Sequence, residues 1–139
     1  MASVVYNSFK RDIMNGSIDL DTDTIKVALV TSSYTPNIDT HDNFDDITSE
    51  VSGTGYTAGG ATLSVTVSVD TTDDEGVFDA VDTTWTTATV TARGAVIYKS
   101  TGTSSTSKLI CYVDFGSDKT STAGDFTIQW NSEGILNLN

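Results

Sequence analysis

Apolar and polar residues alternate with a period of two in several strand-length runs of this 139-residue chain. That is the pattern of strands with one covered face. The cleanest run is Ala61–Asp70, where Ala61, Leu63, Val65, Val67 and Val69 alternate with Thr62, Ser64, Thr66 and Ser68. Residues 24–31 form another predicted strand, with Ile25, Val27 and Leu29 on one side and Lys26, Ala28 and Val30 on the other. The stretch Thr86–Phe115 reads as a central hairpin. Its arms are rich in β-branched and aromatic residues, and its linker T-G-T-S-S-T carries no apolar residue. In the first arm Val96 and Tyr98 share one face and Ala95 and Ile97 the other; in the second, Leu109, Cys111, Val113 and Phe115 make one apolar face. Strict alternation therefore predicts one core holding Leu63, Val65, Val67, Leu109, Cys111 and Val113.

The period changes near the N-terminus. Val5, Phe9 and Ile13 recur at helical spacing, and Asn15-Gly16 supplies a stop, so Val5–Met14 is a predicted amphipathic helix. Short extended pieces are expected at Val77–Ala80, Thr83–Trp85, Phe126–Trp130 and Ile135–Leu138, with 115–125 as a loop. Turn signals every 8–12 residues or so suit a sandwich or small barrel. The fold expected is all-β, an antiparallel β-sandwich of Ig-like or jelly-roll-like type with a short N-terminal helix. The whole of 1–139 forms one β domain, with residues 1–16 as an N-terminal helix or arm and 32–60 as a long connecting loop. A helical turn is expected within Asp39–Ile47, capped by Thr40 or Asp42. The segment Gly53–Gly60 reads as a flexible loop or a subunit-contact arm. The loop's apolar side chains, Tyr34, Ile38, Phe44, Ile47 and Tyr56, have no obvious strand to cover them, which makes them the candidate subunit or shell interface.

Charge narrows the function classes. Asp and Glu outnumber Lys and Arg by 19 to 7, for a net charge of −12. Phosphate backbones and anionic lipid surfaces need clustered cations, so neither nucleic acid nor membrane is an expected partner. No apolar run approaches the ~20 residues of a membrane span. The N-terminus lacks the apolar core of a signal peptide, so synthesis in a cytoplasm is expected. Ser and Thr make up more than a quarter of the residues; Thr suits exposed strand faces, so this excess speaks for sheet and against disorder. Cys111 is the lone cysteine, set in an apolar strand, and is expected to act as a small hydrophobe.

No motif completes a chemistry. Asp19-x-Asp21-x-Asp23 begins like a calcium loop, but Thr24 stands where the loop needs Gly and Val30 where it needs Glu. Asp73-Asp74-Glu75 reads as a solvated turn, with weak holding of a cation as the lesser alternative. The Gly53–Gly60 run leads into a strand, so it is not a dinucleotide fingerprint. His41 is the single histidine; Asp39 and Asp42 stand nearby, but no G-x-S-x-G elbow exists for a triad. One His and one apolar-strand Cys do not make a usual zinc set. No cofactor, metal or catalytic residue is expected, and the chain is read as not an enzyme. Tyr34, Tyr56, Trp85 and Trp130 are a candidate glycan-stacking set, against their commoner role as core residues.

The runs T-I-K-V-A-L-V-T-S-S-Y-T-P, E-V-S-G-T-G-Y-T-A-G-G, A-R-G-A-V-I-Y-K and D-F-T-I-Q-W-N-x-x-G-I-L, with V-Y-N-S-F-K before them, span nearly the whole chain. Together they resemble a group of small acidic structural proteins of tailed bacteriophages and prophages. The resemblance implies a virion component, with capsid decoration or cement as the nearest role and a tail or neck position as the runner-up. A carbohydrate-binding or adhesion module is the alternative from another class. It further implies the major capsid protein or another virion protein as partner, and a homo-oligomer, with a trimer matching threefold lattice positions. It transfers no ligand or catalytic residue.

Overall fold

The computed structural model describes residues 2–139. Two antiparallel sheets pack together with one short helix beside them. The strands are β1 (Val4–Val5), β2 (Ile25–Val30), β3 (Ala61–Thr62), β4 (Val65–Asp70), β5 (Glu75–Ala80), β6 (Thr83–Lys99), β7 (Leu109–Ile128) and β8 (Leu136–Leu138). The large sheet has the order β1-β7-β6-β2-β3 and the small one β4-β5-β8. The one α-helix among the described residues, α1, is Asn7–Met14 and ends at Asn15, with Gly16 in the left-handed region at φ 78°; the expected start at Val5 is too early, because Val5 pairs with Cys111 in β1.

The large sheet is covered on both faces. On one side Ile25, Val27, Leu29, Ala95 and Ile97 pack with Phe9 of α1, Phe78 of the small sheet, Trp85 and Phe126. On the other, Tyr6, Val30, Tyr34, Val96, Tyr98, Leu109 and Tyr112 form a second cluster. A strand buried on both faces loses its alternation and becomes uniformly apolar. That accounts for the nearly unbroken burial of Ile25–Val30.

The expected single core divides at a β-bulge. Ile97 pairs with Cys111, but Tyr98 pairs with Leu109, so Ile110 is an extra residue. The bulge reverses the side-chain phase. Ile110, Cys111 and Val113 face the first core, whereas Leu109 joins Tyr98 and Tyr112 in the second. Leu109 is fully buried there. Leu109→Ala is expected to cost about 2–5 kcal/mol, read as a lower denaturant midpoint together with weaker near-ultraviolet dichroism from the tyrosines around it. A loss under about 0.5 kcal/mol would mean the site collapses freely.

Two more sequence expectations fail in β4. Leu63 is buried and Val65 half-buried, but Val67 is 46% and Val69 76% exposed. Val65 still packs against the first core, and exposure rises toward the far end of the strand.

The expected loop at 115–125 is instead the second half of β7. Thr91 pairs with Thr120, Val90 with Ser121 and Trp85 with Phe126. Threonine pairs line the wet face, with Thr91 Oγ1 2.9 Å from Thr120 Oγ1 and Thr84 Oγ1 2.9 Å from Thr127 Oγ1. The β6–β7 ribbon also turns a corner. Phe115 and Phe126 have ring centroids 6.3 Å apart; on a straight strand they would stand roughly 35 Å apart. Thr87 and Ala123, at φ 49° and 47°, flank the Ala88↔Gly124 pair, with register shifts on either side. Those irregularities bend the ribbon, which brings Trp85, Phe126 and Ile128 into the core that holds Ile97.

Candidate interaction surfaces

The 32–60 connection folds over its own sheet. Thr31 and Val51 donate backbone hydrogen bonds to Ser49 O and Leu29 O at 2.9 Å each, which pins the loop's return beside β2. Phe44–Asp46 forms a short 3₁₀ turn following Asn43, not Thr40 or Asp42. Asp46 holds the turn by accepting from the backbone N–H of Asp42 at 2.8 Å and of Asn43 at 3.1 Å. These bonds, the Asp42 N–H first, keep the Asp46 carboxyl below the usual carboxylate range. Phe44 stacks on Tyr98 with centroids 4.1 Å apart.

This geometry places the candidate interface residues. Tyr34 is 2% exposed in the second cluster, and Phe44 and Ile47 pack against that cluster. Tyr56 belongs to the first core and contacts Trp85. Of the five, only Ile38 is an exposed large apolar side chain. The five are thus not one outward patch: four are spent within the chain, and the loop takes the arrangement in which it covers its own sheet. Deleting residues 39–48 would remove Phe44 and uncover the Tyr98 ring on which it stacks.

The Gly53–Gly60 segment is packed, not a free arm. A Cβ on Gly53 would lie 2.3 Å from Thr89 O, and one on Gly60 1.8 Å from Val27 O. Glycine here permits close backbone approach. Glu50 anchors the segment by accepting from Tyr56 OH at 2.7 Å and Gly59 N–H at 2.6 Å. Tyr56 OH in turn accepts from Leu29 N–H at 2.9 Å.

His41 lies on the loop's rim. Its Nδ1 is 2.9 Å from Tyr34 OH and 3.2 Å from the Asn37 N–H that donates to it. Tyr34 OH is also 2.7 Å from Tyr6 OH. Nδ1, the nitrogen that the carboxylate of a triad would hold, is therefore engaged in a tyrosine network. Burial pushes the Tyr34 hydroxyl up to about 12. Cys111 is buried, and burial pushes its thiol up to about 12, so it is a poor nucleophile.

Two further groupings of charged side chains stand out, one structural and one on the surface. Asp12 of α1 is 1% exposed, with Oδ1 2.9 Å from Arg11 Nε and Oδ2 3.7 Å from Lys108 Nζ; it ties the helix to the start of β7. Asp73, Glu75 and Glu133 bring carboxylate oxygens within 4.8 Å of one another beside the β4–β5 turn. Glu75 there accepts from Asn137 Nδ2. No local pattern links Glu133 to the other two, because it lies in the turn before β8, about 60 residues further along the chain. The four candidate glycan-stacking rings are not gathered on one face: Tyr34 lies in the second cluster, Tyr56 and Trp85 in the first, and Trp130 donates its indole N–H to Val81 O at 3.2 Å. Shallow grooves among the described residues include one of about 390 Å³ between Phe115 and Phe126 and one of about 450 Å³ on the outer face of the small sheet. Among the described residues, no helix is long and apolar enough to cross a membrane.

The fold and its surfaces define an all-β protein of two packed antiparallel sheets, with its polar chemistry used in tying loops down. No family model matches the chain, and neither a curated protein nor a solved structure matches it.

Proposed function

We propose that this chain is a structural protein of a tailed-bacteriophage virion, decorating or cementing the outside of the capsid. The observation that carries the reading is the set of stretches resembling phage structural proteins. They correspond to β2, the returning loop, the inner half of β6 and the end of β7 with the turn into β8. Two physical features support it. The net charge of −12 keeps an abundant particle protein soluble and off packaged DNA. The buried tyrosines and the loop strapped over β2 make a stiff unit, and a stiff unit loses little entropy when it docks repeatedly on a shell. The partner in this reading is the major capsid protein, with three copies at a threefold lattice position. A neck or tail position is the runner-up.

Electron microscopy of particles from the phage or prophage that encodes the chain tests the reading. Density for this two-sheet fold is expected on the capsid exterior, and particles made without the chain are expected to lose genome at a lower temperature. Density at the neck would move the chain to the runner-up. Purified particles that contain none of the chain by mass spectrometry would overturn the reading.

A further inference from the structure

We propose that β4 is a self-association edge, pairing antiparallel with β4 of a second copy to join the two small sheets into one six-stranded sheet. β4 ends the sheet order β4-β5-β8. Val81 N–H donates to Ser64 O at 3.0 Å, which marks Ser64 and Val81 as a hydrogen-bonded pair at the start of the β4–β5 ladder. Hydrogen-bonded and non-bonded pairs alternate in such a ladder. Thr66 and Ser68 therefore turn their backbone groups toward β5, and Val65, Val67 and Val69 turn theirs outward. Among the described residues nothing pairs with that outer edge.

The edge also lacks the usual protection. Edge strands are ordinarily blunted by Lys, Pro, a bulge or extreme shortness. Val65–Val69 contains no charge and no proline, and its register with β5 is unbroken.

A second copy fits this edge in one register above others. With Val67 opposite the partner's Val67, Val65 faces the partner's Val69, and every outward N–H and C=O of the three valines finds a complement. The same register sets Thr66 against the partner's Ser68, so valines meet valines on one face and hydroxyls meet hydroxyls on the other. Val67 and Val69, 46% and 76% exposed in the single chain, would gain apolar neighbours. The charge distribution agrees. The acidic turn Asp70–Glu75 follows β4, and antiparallel pairing sends the two turns to opposite ends of the joined sheet. The contact is isologous and closes on itself as a pair. It is short, in the size class of transient interfaces under about 1,200 Å², so the pairing is concentration-dependent. It does not rest on the virion reading, and its test reads self-association alone.

The full chain carries the test. Thr66→Cys and Ser68→Cys both change exposed residues on the polar face. Across the proposed pair these positions stand about 4.5 Å apart between Cα atoms, within disulfide reach. Oxidising a mixture of the two variants is expected to give a mixed disulfide dimer, whereas either variant alone stays largely unlinked. Sedimentation of the unmodified chain is expected to show mass rising toward a dimer with concentration, and Val67→Lys, which sets two ammonium groups against each other, abolishes the rise. A mixture that links no faster than the single variants overturns the proposal. So does a monomer at all concentrations, or an oligomer that Val67→Lys leaves unchanged.

Discussion

Raising the pH from 9 toward 12 is expected to unfold this chain in one steep transition, with tyrosine ionisation following the loss of structure. Burial pushes the Tyr34 and Tyr98 hydroxyls up to about 12, from an ordinary value of 10.0. Tyr6 and Tyr56 are held higher still, by burial first and then by their bonds to Tyr34 and Glu50. The Cys111 thiol, ordinarily near 9.0, is pushed up to about 12 by burial alone. All five groups have folded values above their unfolded ones. Their contribution is fully present below the unfolded values and is lost as pH rises through the window toward the folded ones. Above pH 10 each group that ionises only in the unfolded chain removes about 1.4 kcal/mol per pH unit. The Tyr34 and Tyr98 hydroxyls are less deeply buried than those of Tyr6 and Tyr56, so solvent screening reduces their share. By pH 12 the combined loss is comparable with an ordinary domain's stability of about 5–15 kcal/mol. Tyrosinate absorbance recorded alongside near-ultraviolet dichroism checks this. Tyrosines titrating near 10 in a chain that keeps its dichroism would show that the second cluster is open to water.

Gly60→Ala is expected to be the most damaging single methyl group that can be added outside the core. Gly60 sits at φ +79°, where a Cβ costs roughly 1–2 kcal/mol. The added carbon would also lie 1.8 Å from Val27 O and 2.8 Å from Ala28 Cα. Both belong to β2, which is held between β6 and β3 and cannot retreat. The expected loss exceeds about 4 kcal/mol, in the range reserved for backbone strain and core disruption. Gly102→Ala is the matched control, since Gly102 has φ +87° with nothing within 4 Å; only the dihedral cost of roughly 1 kcal/mol remains there. Urea midpoints for the two variants separate steric approach from backbone preference. Equal midpoints would mean that the Gly53–Gly60 segment does not press on β2.

Local pattern was enough for the class of fold and for many of its elements. The alternation in Ala61–Asp70 marked β4, the apolar run 24–31 marked β2, and helical spacing with Asn15-Gly16 marked α1, because each signal lies within a few adjacent residues. Both arms of the central hairpin were legible for the same reason. Several outcomes depended on residues far apart in the chain. The extra residue at Ile110 reverses the side-chain phase of β7, and no local pattern marks it, since residues 109–113 are apolar without interruption. The polar run 116–125 is strand because Thr84–Ala92 lies beside it and supplies partners for its backbone. Tyr34, Phe44, Ile47 and Tyr56 look unprotected along the chain, yet Tyr98, Leu109 and Trp85 come from elsewhere to meet them. Which valines of β4 are covered was also beyond the sequence. Alternation assigns Val65, Val67 and Val69 to one face, but the reach of the opposing sheet sets how much of that face leaves water.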